Sequence, residues 1–331
     1  MKICANCVIS ELYPGVHFDE KGVCNFCRAH KSKREEQKGR QKYEKQFLTL
    51  LERLKGRHSY DCLVAYSGGK DSTYTLYQLK NKYKLNILAL TYDNWFQSEQ
   101  AARNIRAVVK HLHVDHLTFS PNYNVFKKIV RAAASEDIYS VKALERASSI
   151  CTTCISLIRF MCFRLAIEKE IPLVIFGMSP GQAPIVTSVV KMNPGMVRKM
   201  QDIVYRPLHK HLGDSIRPLF LEESHFRKTE SFPYSINPLA FSEYREDEIL
   251  DIVKGLGWVK PVDTDPNSTN CLLNALANHL HVEKFGFNPY TYEMAGLVRQ
   301  GHIGRAAALE RLAQSEPPEA IHNLKKVLEL P

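Results

Sequence analysis

The sequence contains no apolar run approaching the roughly 20 residues that a membrane-spanning helix needs, so no membrane association is expected. Its opening residues, Met1-Lys2-Ile3-Cys4, lack the apolar stretch of a secretory signal, and the cytoplasm is the expected compartment. No internal repeat, low-complexity tract or added RNA-binding domain is evident. The pattern G-x-x-x-x-G-K-[ST] is also absent, which excludes a Walker-type phosphate loop. What is present suits a globular enzyme. The 331 residues are 44% hydrophobic and 24% charged, enough for a substantial core and about two domains. The formal net charge of +10 favours an anionic partner such as a nucleotide, a phosphorylated metabolite or an RNA, although scattered Lys and Arg also serve solubility. The denser basic stretches are 30–45 and 191–217.

Nine cysteines in a cytosolic chain point away from disulfides and towards metal ligation or reactivity. Cys4-x-x-Cys7 and Cys24-x-x-Cys27 place two pairs of thiolates on tight knuckles. Together they form an all-sulfur tetrahedral set for Zn²⁺, with rubredoxin-like iron as the other reading. Four cysteines leave no open position, so the role is structural, anchoring a module too small to hold a core alone. A second set comprises Cys151-x-x-Cys154 and the distant Cys271. Cys62, inside a strand pattern, and Cys162, on an apolar helix side, read as buried small hydrophobes.

Short apolar runs alternate with helical patterns. Strands are expected at 61–66, 86–92, 116–119 and 172–177, and helices at 41–55, 72–83, 97–112, 124–134 and 153–169. This is the pattern of parallel βαβ units. The expected division is a cysteine module at 1–30, a linker and helix at 31–57, an α/β domain at 58–257 and a mostly helical C-terminal module at 258–331.

Between the first strand and its helix lies Ser67-Gly68-Gly69-Lys70-Asp71-Ser72. Two glycines permit tight turns and close approach of phosphate oxygens. The helix start attracts anions. Ser67 and Ser72 donate hydroxyl hydrogen bonds, Lys70 neutralises phosphate charge, and Asp71 holds Mg²⁺ indirectly or fixes the loop. An ordinary Gly-rich turn would explain the glycines but not the residues around them.

The run Leu63-Val64-Ala65-Tyr66-SGGKDS resembles the loop of the PP-loop ATP pyrophosphatases. The resemblance implies a HUP-type, Rossmann-like parallel sheet and cleavage of ATP between its α- and β-phosphates to adenylate a substrate. It also implies nucleotide contacts at Asp93 and Gly177. Ile236-Asn237-Pro238-Leu239, followed by Glu243 and Glu248, is similar to the family's "RPL…E…I" segment, with asparagine where arginine is common. Cys151, Cys154 and Cys271 resemble the cysteines of cluster-dependent thiouridine synthases in this superfamily. That implies three ligands to a [4Fe–4S] cluster whose open iron carries the transferred sulfur. The alternative is cluster-free chemistry, with a persulfide on one cysteine and disulfide formation by another. The opening CANCVISELYPGVHFDEKGVCNFC is similar to N-acetyl sugar amidotransferases, which use ammonia and need no cysteine triad.

Other segments are less specific. The loop 177–182 shapes a substrate pocket or is a plain turn. His209 and His211 suit a solvated face better than a metal site. Asp263, Asp265 and Asn267 suit loop solvation, with a proton acceptor as the sharper reading. The aromatic run 285–290 packs a helical module or stacks a base. The expectation is an ATP- and Mg²⁺-dependent sulfurtransferase acting on a nucleobase carbonyl or similar amide. Its expected partners are a nucleotide or tRNA acceptor, a sulfur donor such as sulfide or a cysteine desulfurase, and a second copy of the chain. The alternatives are sugar amidotransfer and a non-catalytic nucleotide- and zinc-binding protein.

Overall fold

The computed structural model describes residues 1–265, 268, 270–314 and 318–330. Among them, six strands form one sheet: β1 (Cys62–Ala65), β2 (Ile87–Tyr92), β3 (Asp115–Phe119), β4 (Leu173–Phe176), β5 (Val189–Lys191) and β6 (Tyr234–Ile236). Their order is β3-β2-β1-β4-β6-β5. All neighbours are parallel except β5, which runs antiparallel at the edge beside β6. β2 and β4 are buried throughout, as strands covered on both faces must be. Alternate residues feed two cores: Cys62, Val64, Ile87 and Ala89 enter one, and Leu63, Leu88 and Leu90 the other.

The order places a switch point between β1 and β4, where the chain leaves β1 for β2 on one side and later returns to β4 on the other. Ligands of such sheets bind outside the carboxyl ends of the strands at that point. The phosphate loop follows β1 and Gly177 follows β4, so both expected contacts lie there.

The four expected strands and their helices are present: Lys70–Tyr77 (continued by a widened turn, Gln78–Lys82), Glu99–Leu112, Tyr123–Ser135 and Ser149–Glu168. The lead-in helix is longer than its apolar pattern. It spans Lys33–Leu54 because Ser32 and Glu35 form a reciprocal cap. The short strands β5 and β6 have three residues each and carry no usable alternation. The basic stretch after β5 is a helix, Pro194–Leu212, whose Val197, Val204 and Leu208 are buried at helical spacing.

One expectation is corrected. The helix Ser149–Glu168 is long and apolar enough to cross a membrane by length and composition, although Arg159 and Arg164 lie within it. Ten of its residues are buried, eight of them, Phe160 and Phe163 included, in the second core, so most of its apolar surface is satisfied within the protein.

The helices Leu273–Phe285, Thr291–Arg299, Arg305–Ala313 and Pro318–Leu328 follow the sheet. The stretch from Phe285 to Leu312 closes over the cysteine module, whereas Pro318–Leu328 packs in the second core. Tyr13 packs edge-on against Phe287, and Arg305 donates to the carbonyls of Cys4 and Cys7 at 2.9–3.2 Å. Cys4, Ile9 and Tyr13 share a core with Phe287, Met294 and Leu297.

Candidate functional site

The phosphate loop is held from three sides. Gly68 has φ +76°, and a Cβ there would lie 2.7 Å from Ile105 Cγ1 and 2.9 Å from the Ala101 carbonyl oxygen. Both facts require glycine. Trp258 Nε1 donates to the Gly68 carbonyl at 2.9 Å. Inside the turn the Ser67 and Ser72 hydroxyls lie 3.1 Å apart, and Ser72 donates to the Gly69 carbonyl. Gly69 starts the helix Lys70–Tyr77, which has no side-chain cap.

Gly177 lies against the same helix. Its Cβ would meet Ser72 Cα at 2.7 Å and Thr75 Oγ1 at 2.8 Å, so glycine lets β4 approach the loop. The loop 177–182 continues onto the helix Thr291–Arg299. Ser179 and Gln182 donate to the two oxygens of Glu293 at 2.5 and 3.1 Å. Burial raises the Glu293 pKa, opposed by the Ser179 hydrogen bond and reinforced by the charge of Asp71. Asn237 braces this loop by accepting from the Met178 amide at 3.2 Å. That is what stands at the position where arginine is common in the resembling family.

Lys70 sits in a charged network. Its Nζ donates to Tyr244 OH at 2.8 Å and Glu246 Oε1 at 2.9 Å, and lies 3.2 Å from Asp71 Oδ1. Tyr244 OH donates to Asp71 at 3.0 Å, and Arg311 meets the other Glu246 oxygen at 2.7 Å. Burial would lower the Lys70 pKa, but the facing carboxylates raise it, so the lysine is charged. Burial opposes ionisation of Glu246, yet the Lys70 charge and the Arg311 hydrogen bond hold it down at about 2. Sequence reasoning named Glu243 and Glu248 in this segment. Both pair with Arg245 on the surface, at 3.3 and 2.8 Å, and Glu246 is the residue that faces the loop.

Asp93 ends β2. Its oxygens accept from the Trp95 amide at 2.9 Å and the Ser120 hydroxyl at 3.2 Å. The next residue, Asn94, donates to Cys271 Sγ at 3.3 Å. Cys271 also forms a backbone bridge with Gln97, and the Gln97 amide donates to the Ser67 carbonyl at 3.4 Å. Cys271 is thereby tied to the carboxyl edge of the sheet, one residue from the phosphate loop.

Cys151 lies in the first turn and Cys154 in the second turn of the helix Ser149–Glu168. Asn274 donates to Cys151 Sγ at 3.5 Å. The three thiols lie within one another's fields. Burial pushes Cys151 up to about 11, with the Ser148 hydrogen bond opposing and the Cys271 charge adding to it. Burial and then the two other cysteines raise Cys154 well above the usual thiol value. Burial raises Cys271 too, against the Asn94 hydrogen bond. As free thiols these groups are protonated near neutrality, and metal binding would release their protons. Cys62 and Cys162 are fully buried, as expected.

The Sγ atoms of Cys4, Cys7, Cys24 and Cys27 all lie within 4.8 Å of one another. The amides of Asn6 and Cys24 donate to Cys4 Sγ at 3.4 and 3.2 Å, and that of Cys27 to Cys24 Sγ at 3.4 Å. Four converging sulfurs with N–H donors fit the donor set of a structural Zn²⁺ site.

The remaining candidates sort as follows. His209 pairs with Asp214 at 3.1 Å, and His211 is exposed. Asp265 is buried and accepts from Asn278 at 2.9 Å, so it is not a solvated loop residue; Asn267 lies outside the described residues. Phe285 and Phe287 flank His281, so the aromatic run packs the helical module. Tyr244, Glu246 and Trp258 were missed, lying 174, 176 and 190 positions from their partners in the phosphate loop, as was Glu293, 111 and 114 positions from its partners in the loop 177–182. No local pattern marks such distant partners.

No family model matches the chain. It is 24% identical over 320 residues to an uncharacterized protein of Methanocaldococcus jannaschii, covering 96% of each. Solved structures that it resembles include the U34-tRNA thiolase NcsA of Methanococcus maripaludis with its [4Fe-4S] cluster. That likeness has 17% identity, covers 99% of this chain and 89% of the other, and has a TM-score of 0.40. Another is NMN synthetase of Francisella tularensis, at 14% identity, 90% and 96% coverage, and a TM-score of 0.40. The architecture expected from the loop is present on this chain's own topology: a Rossmann-like, mostly parallel sheet, SGGKDS at its carboxyl edge beside the switch point, and a four-cysteine module at the N-terminus.

Proposed function

We propose that this chain is an ATP-dependent, AMP-forming sulfurtransferase that replaces a carbonyl oxygen of a nucleobase or similar amide with sulfur. The observation that carries this reading is the tie between the two chemical sites. Cys271 bridges to Gln97, and Gln97 reaches the Ser67 carbonyl, so the remote cysteine set adjoins the loop. A nucleotide and its activated acceptor held at the carboxyl edge would face the thiols.

The first half-reaction belongs to residues 67–72. They would bind the triphosphate while the acceptor oxygen attacks the α-phosphorus and pyrophosphate leaves. Little covalent chemistry falls to the protein here, and catalysis is positioning plus charge neutralisation. Lys70 supplies positive charge, and Asp71 would hold a phosphate-bound Mg²⁺ through its water. In the second half-reaction a sulfur nucleophile adds to the activated carbon, the C–O bond breaks, and AMP leaves with the oxygen. Cys151, Cys154 and Cys271 would ligate three irons of a [4Fe–4S] cluster, which supplies an open iron for sulfur. Without a cluster, one of these cysteines would carry a persulfide received from a sulfane-sulfur donor such as a cysteine desulfurase; its outer sulfur would attack the activated carbon, and a second cysteine would release the product by forming a disulfide that an external thiol then reduces. The Zn²⁺ held by Cys4, Cys7, Cys24 and Cys27 would act on the fold, not the reaction.

Purification without oxygen, followed by iron and sulfide analysis and assay of pyrophosphate release, tests this. The expected result is acceptor-dependent pyrophosphate with iron bound through the triad. Full sulfur transfer by an iron-free protein removes the cluster form. Ammonia-dependent turnover indifferent to Cys271→Ala would overturn sulfur transfer.

A further inference from the structure

A cleft opens beside the first turn of the cysteine helix, away from the phosphate loop. Ala133, Ile138, Ile150 and Leu280 are among its apolar walls; Ser149 and His281 are part of its inner polar lining, and exposed Glu136 and the Asp137–Lys284 ion pair stand at its mouth. Its interior volume is about 40 Å³, room for a very small molecule and far too little for a nucleotide.

His281 is 3% exposed, and among the described residues neither of its ring nitrogens has a hydrogen-bond partner. Phe285 and Phe287 hold the ring at 4.7 and 4.8 Å between centroids. The Ser149 hydroxyl is likewise buried without a partner. Leaving three such polar atoms unsatisfied costs stability that an apolar residue would not, so they suit a small hydrogen-bonding guest, a water or a ligand, that the chain itself does not supply. Burial lowers the His281 pKa to about 4, so the ring is neutral and offers one donor and one acceptor.

A buried polar stripe on the same helix runs from this histidine towards Cys151. Asn274, Asn278 and His281 recur at helical spacing on Leu273–Phe285. Asn274 donates to Cys151 Sγ, and Asn278 donates to Asn274 at 3.0 Å. Ser149 lies two residues before Cys151 on its own helix.

We propose that this cleft binds hydrogen sulfide, the small neutral sulfur donor, between His281 and Ser149 and delivers it to the Cys151 side of the triad. Apolar walls with a neutral imidazole and a hydroxyl suit a small uncharged hydride better than an anion. The assignment of sulfur as the cargo rests on the function proposed above; the binding site itself does not.

The test uses the full chain with ¹⁵N-labelled histidine, titrated with sodium sulfide in the absence of ATP. The His281 signal is identified by its loss in His281→Phe. That variant places a third ring among Phe285 and Phe287 and removes two unsatisfied nitrogens, so it folds with a higher thermal midpoint. The expected result is a saturable shift of the His281 resonance. In turnover, His281→Phe raises the KM for sulfide about tenfold, the worth of about one good hydrogen bond, with the KM for ATP unchanged. Ser149→Ala has a smaller effect in the same direction. An unmoved His281 signal, or an unchanged sulfide KM, overturns the proposal. A shift with ammonium chloride and none with sulfide overturns it in favour of ammonia. If no thiolated product forms but the sulfide shift occurs, the proposed reaction fails and the binding site stands.

Discussion

Glu246→Gln isolates the network that holds the loop lysine. Glu246 lies 2.9 Å from Lys70 Nζ and 2.7 Å from Arg311. Against the cost of burial, the Lys70 charge and the Arg311 hydrogen bond hold its pKa at about 2, below the ordinary 4.5. At about 1.4 kcal/mol per pH unit, this amounts to about 3.4 kcal/mol. A quarter of the side chain is exposed, so solvent screening trims the figure to about 2 kcal/mol. The raised pKa of Lys70 reports the same interaction from its other partner and is not added. A depressed folded pKa means the stabilisation is present above the unfolded value near 4.5 and fades as pH falls towards 2. About a quarter of it is gone at pH 4. Urea unfolding of both proteins at pH 7 and pH 4 reads this directly. The variant is expected to be about 2 kcal/mol less stable at pH 7, with the gap narrowing to about 1.5 kcal/mol at pH 4. Acid effects shared by both proteins, including any at the cysteines, cancel in the difference. A gap of the same size at both pH values, or none at pH 7, would refute the reasoning.

Gly177→Ala puts a Cβ 2.7 Å from Ser72 Cα, and backbone cannot give way there. A loss of about 1–3 kcal/mol in thermal or urea unfolding and a large fall in pyrophosphate release are expected. Trp258→Phe leaves the Gly68 carbonyl without its 2.9 Å donor, and should cost about 1–3 kcal/mol while raising the KM for ATP. Chelation of metal from Cys4, Cys7, Cys24 and Cys27 should lower the thermal midpoint of the whole chain, read by calorimetry, because Tyr13 and Phe287 share one core.

The sequence made the α/β architecture legible because β1, β2 and β4 are short buried runs followed by strongly patterned helices. The loop was legible because a phosphate-binding turn needs its residues consecutively. The zinc-type knuckles were legible for the same reason, two ligands per tight turn. The short strands β5 and β6 were not, since three residues cannot display a period. The helix Pro194–Leu212 was hidden under its charge: Lys and Arg on its outer face dominate the composition, and its buried positions are few. The residues that hold the loop lie far away in sequence. Glu246 was passed over for its neighbours Glu243 and Glu248, because only the turn from Tyr244 into its helix decides which carboxylate faces Lys70. Asp265 looked like a solvated loop residue and is buried, because helix Leu273–Phe285 brings Asn278 over it.

The central claim is that ATP-driven activation at residues 67–72 is coupled to sulfur delivery at Cys151, Cys154 and Cys271. Mass spectrometry of candidate nucleotide and tRNA acceptors, incubated with ATP and sulfide, tests it most directly when run beside Cys271→Ala. The account predicts an oxygen-to-sulfur mass change in the acceptor with stoichiometric AMP, absent in the variant. An oxygen-to-nitrogen change with ammonia, equal in both proteins, would contradict it.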